Sequence, residues 1–440
     1  MKPVKVVGAG LAGCEAAWQL AERKIFVELY EMKPHKLSPA HISNDFAELV
    51  CSNSFRSDEL SNAAGLLKEE MRKLGSIIMK CADRTRLPAG SALAVDRIRF
   101  SSMVSEILKE HPFISVIERE VTEIPEGKVI IATGPLTTDR LAEEIAAFLP
   151  DTKMLSFFDS AAPIVTFESI DMQHAYFASR YGKGDADYIN CPLSNDEYET
   201  FYAELTRAEE APVHGFEENM VFEGCMPIEV MARRGVDTMR FGPLKPVGLP
   251  DPKTGKEPYA VVQLRKDNLE GTLYNLVGFQ THLKFPEQKR VFSIIPALRN
   301  AQFVRFGVMH RNTYLDSPKL LDRYYRLKSD SRISFAGQIT GVEGYIESAS
   351  SGLLTGLETA YELHNLPPVN FPAETAIGAL AQYVSGGAVS KFQPMNINFG
   401  IIKPLEKKIK GKRNKNIEIS SRALQTIHIL QSGIKDNYQH

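Results

Sequence analysis

The chain opens with an apolar run, Pro3 to Val7, that breaks into Gly8-Ala9-Gly10-Leu11-Ala12-Gly13. Small and apolar positions at Ala16, Ala17, Leu20 and Ala21 then recur at helical spacing, and Ile25 to Tyr30 returns to a strand pattern. Together they predict a βαβ unit. The same punctuation appears twice more. Val129-Ile130-Ile131-Ala132-Thr133 runs into Gly134-Pro135 after a predicted strand at Ile114 to Ile117, and Ile333-Ser334-Phe335-Ala336 runs into Gly337. Beyond that third turn, Gly341 and Gly344-Tyr345 lead into a small-residue helix over Glu347 to Leu363. Three strand-to-glycine turns so far apart predict one nucleotide-type fold that the carboxyl-terminal third closes, with the middle inserted. The expected division is 1–155 with 301–440 as the discontinuous nucleotide domain and 156–300 as the insert.

The insert has its own character. It carries aromatic pairs at Phe157-Phe158 and Tyr176-Phe177, a charged helical stretch over Asn195 to Glu210 and a strand-like run over Ala260 to Leu264. It is expected to be a second α/β unit with its own core. A final helix is predicted near Ile417 to Leu430.

The spacing of the first turn gives it chemistry. A G-x-G-x-x-G pattern alone is weak, but here it leaves a strand, opens a helix, and is followed by an acid, Glu31, at the end of the second strand. Gly8 permits the tight turn, Gly10 lets backbone approach a pyrophosphate, and Gly13 lets the helix pack on the sheet. Phosphate charge would then meet the free N–H groups at the helix start. Glu31 can accept from a ribose 2′-hydroxyl and would repel a 2′-phosphate, which favours FAD or NAD over NADP at this position.

Composition narrows the remaining choices. Of 440 residues, 43% are hydrophobic and 24% charged, with 30 Gly and 25 Pro, so disorder, collagen and low complexity are excluded over most of the length. The 52 basic residues nearly balance the 54 acidic ones, leaving a net charge of −2, so any nucleic-acid contact must come from a local patch. The one strong patch is 403–415, with Lys403, Lys407, Lys408, Lys410, Lys412, Arg413 and Lys415 against Glu406. The five cysteines, Cys14, Cys51, Cys81, Cys191 and Cys225, show no C-x-x-C pair, which argues against a disulfide framework or a thiolate zinc site and fits a reducing, cytoplasmic setting. No histidine spacing suggests a metal, and no apolar run is long enough to span a membrane. Leu11-Ala12-Gly13-Cys14 outlines a lipoprotein cleavage site, but cutting there would destroy the glycine motif, so it is read as part of the fold. Two thiols sit in turn-like settings: Cys51 in Leu49-Val50-Cys51-Ser52-Asn53, and Cys225 in Gly224-Cys225-Met226-Pro227 with Arg233 and Arg234 close behind. Cationic neighbours would favour the thiolate, which is the nucleophile. Cys14, Cys81 and Cys191 are expected to be core residues.

Several segments, VVGAGLAGCEAAW, FAELVCSNSFRS, VIIATGPL, LVGFQTHLKFPEQKR and AGQITGVEGYIESASSGLLTG among them, closely resemble the TrmFO family of folate- and FAD-dependent tRNA (uracil-5-)-methyltransferases, and the resemblance runs over nearly the whole length. The glycine turn and GVEGYIESASSG are also similar to the longer GidA proteins. Cys14 departs from the serine or other small residue expected there. The resemblance implies a glutathione-reductase-like, Rossmann-type FAD domain with an inserted α/β domain. It implies methylation of C5 of uridine 54 in the tRNA T-loop, with carbon from 5,10-methylenetetrahydrofolate and electrons from NAD(P)H through FAD, which serves as methylene carrier and reductant. It casts Cys225 as the thiol that adds to uracil C6 and Cys51 as a second catalytic thiol beside the flavin. Gly8, Ala9, Gly10, Leu11, Ala12, Gly13, Glu31, Gly134, Gly337, Gly344 and Tyr345 are the expected cofactor contacts, with Gly344 and Tyr345 offering N–H groups to the reduced ring. The basic run, Arg233 and Arg234 are expected to meet RNA phosphates. No metal, membrane or obligatory protein partner is expected. Rival readings are the same chemistry on a ribosomal RNA uridine, a flavin oxidoreductase of small molecules, and a non-enzymatic flavin-bound RNA-binding module.

Overall fold

A computed structural model describes residues 2–38, 40–149, 155–160, 162–182, 185–211, 226–307, 309–386 and 392–436. β1 (Val4–Val7), α1 (Leu11–Ala21) and β2 (Val27–Glu31) make the predicted βαβ unit, with Val4 opposite Val27 in a parallel pair. An excursion follows: β3 (Ser54–Ser57), α2 (Ala63–Lys73), α3 (Ile77–Arg84), β4 (Arg86–Leu87), β5 (Ala92–Val95) and α4 (Arg97–Lys109). Its three strands pair antiparallel as a small separate sheet. The chain then returns through β6 (Ile114–Glu118) and β7 (Val129–Ile131), and α5 (Asp139–Phe148) closes this stretch.

β8 (Leu155–Ser160) leads out to the middle of the chain. There β9 (Ile164–Thr166), β10 (Tyr176–Ala178), β11 (Tyr188–Leu193), α6 (Asn195–Arg207), α7 (Ile228–Arg233), α8 (Thr238–Phe241), β12 (Ala260–Lys266), β13 (Leu273–Leu276), α9 (Phe285–Phe292) and β14 (Phe303–Arg305) follow. The strands make a six-stranded sheet in the order β10-β11-β12-β13-β9-β14, antiparallel throughout. Hairpin-scale connections such as the one between β12 and β13 allow only that pairing. α6 begins on a full capping box, Ser194 with Glu197, which fixes its start where the sequence places it.

β15 (Met309–Tyr314) pairs antiparallel with β8, so the way out and the way back lie side by side. The last third adds α10 (Ser317–Leu320), β16 (Ile333–Phe335), α11 (Tyr345–Leu363), α12 (Ala376–Val384) and α13 (Lys412–Asp436). β16 joins β7, completing a parallel five-stranded sheet in the order β16-β7-β1-β2-β6. β1 and β7 lie inside this sheet; β7 is apolar and buried at every position and β1 at every position but Lys5, as strands covered on both faces must nearly be. Among the described residues two large apolar cores result, one built from residues 4–149 and 314–434, the other from 165–303, with a small cluster of Leu87, Ala89 and Ala94 beside them.

α1 and α11 pack backbone to backbone. A Cβ at Gly352 would stand 2.1 Å from the Ala12 carbonyl oxygen, and one at Gly356 would stand 2.6 Å from that of Ala16. The helix pair is thereby wedged against the first glycine turn. α13 starts five residues earlier than the apolar pattern indicates, because Lys412, Arg413 and Lys415 are good helix formers without an apolar period to announce them.

Candidate functional site: a glycine-turn cleft and a tethered thiol

The three glycine turns open on one cleft of about 1140 Å³, its mouth included. Gly8, Ala9, Gly10, Leu11 and Ala12 line it from the first turn, Glu31 from the end of β2, Gly134 from the second turn and Gly337 from the third. Tyr345, the first residue of α11, lines it as well, whereas Gly13 and Gly344 lie outside the lining. The three glycines of the first turn differ in what surrounds them. Gly8 has φ +96°, and a Cβ there would lie 2.7 Å from the Ala132 carbonyl oxygen; one on Gly13 would lie 1.8 Å from the Gly8 oxygen. Nothing stands within 4 Å of a Cβ on Gly10. Two of them permit packing, and the third leaves an open approach to the start of α1, which no side chain caps and whose first turn holds no acid. Such a helix end presents N–H groups to an anion.

Glu31 is buried and accepts from two backbone N–H groups, Ala9 at 2.9 Å on one oxygen and Lys33 at 3.1 Å on the other. It pins the glycine turn to the chain leaving β2. Each oxygen keeps a lone pair that a hydroxyl in the cleft can use.

Cys51 sits half-buried at the end of the turn 49–53, and several side chains hold that turn. The Tyr345 hydroxyl accepts from the Cys51 N–H at 2.7 Å and the Ser52 N–H at 3.1 Å. Burial, and then the neighbouring Cys51, push the Tyr345 phenol well above its ordinary range, so it stays protonated and can donate in turn. Arg97, at the start of α4, donates to the Leu49 carbonyl and, at 2.9 Å, to Asp267, which follows β12. Burial works most strongly against the Arg97 charge, but Asp267, with smaller help from Tyr345 and Cys51, holds the guanidinium above its usual range. Arg265 of β12 reaches back, donating to Asn53 at 2.9 Å and to the Ser52 hydroxyl at 2.7 Å. Asn53 completes the tie by donating to the carbonyls of Val95 and Lys266. Two arginines therefore cross between the cores in opposite directions, and the Cys51 turn lies between them.

Sequence reasoning expects the backbone N–H of Tyr345 to matter; the structure shows its phenol oxygen gripping the thiol turn. It misses Arg97, Arg265 and Asp267 altogether. Cys14, Cys81 and Cys191 are buried, as expected, and burial raises the thiol pKa of each, to about 12 for Cys81 and Cys191. Cys225 lies outside the described residues. The described chain on either side of it is fixed to one stretch: Ala211 N–H donates to the His282 carbonyl and Ile228 N–H to that of Gln280, both at 2.8 Å. Arg233, expected near phosphate, is engaged by the Glu210 carboxylate. Glu210 also meets His282, whose other ring nitrogen stands 2.6 Å from the fully buried Glu229. No sequence signal links this Glu210–His282–Glu229 row, because its members lie up to 72 residues apart. Neither this row nor any other group of three or more His, Cys, Asp or Glu side chains among the described residues is arranged to hold a metal ion.

A family profile described as glucose inhibited division protein A matches residues 3–367. The chain is 62% identical over 425 residues to the methylenetetrahydrofolate–tRNA-(uracil-5-)-methyltransferase TrmFO of Acetivibrio thermocellus, covering 96% of this chain and 97% of that one. It is 59% identical to the protein of that name from Desulfitobacterium hafniense, over 96% and 97% of the two chains. The solved structure of Aquifex aeolicus GidA is similar in fold, with a TM-score of 0.70 in one crystal form and 0.69 in the other. Sequence identity to it is 16%, and the match covers 98–99% of this chain and 76% of that one.

Proposed function

The chain belongs to the GidA family, in its TrmFO branch, and on that premise we propose that it methylates C5 of uridine 54 in the tRNA T-loop. Carbon comes from 5,10-methylenetetrahydrofolate and electrons from NAD(P)H by way of FAD, in the cytoplasm. The observation that carries the reading is the Tyr345 bridge, in which one residue both lines the glycine-turn cleft and holds the Cys51 turn at its edge. We take the two cores as two domains, 1–155 with 301–440 and 156–300.

The residues present fit an FAD. The open space over Gly10 and the uncapped start of α1 suit a diphosphate, and the free lone pairs of Glu31 suit ribose hydroxyls. Gly134 and Gly337 would bound the remaining length of the cofactor, with Tyr345 at the thiol end. When bound, FAD would supply the one-carbon and two-electron chemistry that converts a methylene to a methyl group.

The chain's own residues would prepare the base. Uracil C5 is a weak nucleophile until a sulfur adds to C6, which places negative charge on the enolate of C5 and O4. Cys225 is assigned this addition. After C5 has taken up the carbon and lost its proton, the C6–S bond breaks and the thiolate is recovered. Cys51 is assigned to proton transfer or protection at the cofactor end, where Tyr345 and the arginine tie fix its backbone.

The test is incubation of the FAD-loaded protein with unmodified tRNA, methylenetetrahydrofolate and NADPH, followed by nucleoside mass analysis. 5-Methyluridine should form at position 54, and S-adenosylmethionine as sole donor should give none. Cys225→Ala should abolish product while the protein stays yellow. NADPH turnover with a small acceptor and no methylated RNA would instead favour an oxidoreductase.

A further inference from the structure

The segment 403–415 holds seven cations and one acid on a chain whose total charge is −2. Lys403 is spoken for, at 2.6 Å from Glu374. The other six, Lys407, Lys408, Lys410, Lys412, Arg413 and Lys415, are all exposed. None of the six forms a side-chain hydrogen bond or ion pair with a described residue. Elsewhere among the described residues exposed lysines are scattered, some paired, as Lys36 and Lys284 are with a carboxylate within 2.7 Å, and some not, as Lys24 and Lys289; only here are six exposed cations crowded into nine residues.

These cations sit on a fixed edge of the fold. Lys403 N–H donates to the Ala373 carbonyl at 2.9 Å, and Arg422 of α13 donates to the Lys403 and Pro404 carbonyls. Leu405 packs on the large core. α13 then buries Ile419, Ala423 and Ile427, and Asn416 and Ser420 donate to the Ser61 and Leu60 carbonyls at 3.0 and 2.7 Å. Ordering costs on binding are therefore largely met in the folded chain. Three of the six cations occupy the beginning of this 25-residue helix, which has no acid in its first turn. That is the end where the backbone's own positive potential disfavours cations. The concentration of charge works against local stability, and an anion on this edge would relieve it.

The chain that leads into this edge is anchored beside the cleft. Asn396 donates to the Glu343 carbonyl at 2.6 Å, and the Ile397 N–H donates to Glu347 at 2.9 Å, tying the approach to the start of α11 beside Tyr345. Ten residues of chain, at most about 36 Å, separate Ile397 from Lys407. That span lies within the roughly 16 base pairs that one RNA-binding domain can follow.

We propose that Lys407, Lys408, Lys410, Lys412, Arg413 and Lys415 form a phosphate-contact edge that grips the RNA backbone, without reading sequence, while the target base enters the cleft. The proposal rests on the tRNA reading above and adds to it the surface that receives the tRNA.

The experiment uses the full-length, FAD-loaded protein and an unmodified tRNA transcript, with affinity measured between about 50 and 200 mM salt. Each lost phosphate contact lowers the slope of log K against log salt by about 0.7–0.9. Replacing all six residues by Gln should flatten the slope by about 2 or more, and replacing the five lysines by Arg should leave it as in the wild type. Circular dichroism and the flavin absorbance check that the Gln variant is folded and loaded. A smaller change in slope overturns the proposal, as does unchanged RNA binding with loss of binding to phosphatidylserine vesicles, which would assign the edge to a membrane surface. The two readings fail separately. A wild-type protein that leaves the tRNA without 5-methyluridine sinks the methyltransferase reading, whereas one that methylates while the Gln variant keeps its slope sinks only this surface.

Discussion

Replacing Asp267 with alanine removes the carboxylate that meets Arg97 at 2.9 Å, in a pair whose side chains are only 5% and 9% exposed. Arg97 would keep its bond to the Leu49 carbonyl, but its charge would lie buried without a counter-charge. Breaking a buried pair from one side costs about 3–5 kcal/mol, well above the ~0–1 kcal/mol of an exposed pair. Asp267→Asn keeps the size and one acceptor and should cost roughly half as much. Urea unfolding of the full chain measures the loss. Alkylation of Cys51, followed by mass spectrometry of its peptide, should show faster labelling in the alanine variant, because the turn 49–53 loses its hold on the second core. The double variant Arg97→Met with Asp267→Leu should recover much of the single-variant loss, since an apolar replacement leaves no stranded charge. An Asp267→Ala cost below about 1 kcal/mol, or strictly additive effects in the double variant, would refute the view that this pair ties the thiol turn between the cores.

Tyr345→Phe should strand the N–H groups of Cys51 and Ser52 at a cost of about 1–3 kcal/mol, lowering kcat while FAD absorbance persists; unaltered turnover would remove the phenol from the account. Gly352→Ala places a methyl 2.1 Å from the Ala12 carbonyl oxygen, so the usual helix-stabilising gain should reverse into a loss of about 1–3 kcal/mol or more in thermal melts, accompanied by a lower flavin content. Glu70, wholly buried against the Ala376 and Ile377 N–H groups, is raised by burial from 4.5 to about 8. The folded chain then holds this proton where the unfolded chain has released it, so its contribution to stability falls as pH rises from about 4.5 to about 8. Glu70→Gln should therefore be more favourable, relative to wild type, at pH 8 than at pH 5, and urea midpoints that differ equally at both pH values would contradict this.

Much of the fold was readable because its demands are local. A glycine such as Gly13, where a Cβ would stand 1.8 Å from the Gly8 carbonyl oxygen, leaves a fixed letter in the sequence, and the strands before Gly8, Gly134 and Gly337 are short and mostly apolar. The edges of elements were less readable. The charged first turn of α13 looks like a solvated loop until Ile419, Ala423 and Ile427 are seen to anchor it. The arginine tie was invisible, since Arg97 and Asp267 lie 170 residues apart and Arg265 and Asn53 lie 212 apart. On a sequence, charges of that kind look like ordinary surface. Tyr345 lines the cleft just after Gly344, but its hydroxyl partners belong to a turn nearly 300 residues away.

The close seating of α1 on α11 also constrains how the protein is made. The first glycine turn emerges from the ribosome early, yet the helix that covers its flank, with Gly352 and Gly356, is more than 300 residues behind it. At about 5–20 residues per second, translation leaves that flank exposed for roughly 20–70 s. Until then the nascent chain holds an incomplete parallel sheet and an uncovered helix of alanines, a window in which a holding chaperone has something to bind and a prematurely stopped message yields a product that cannot close.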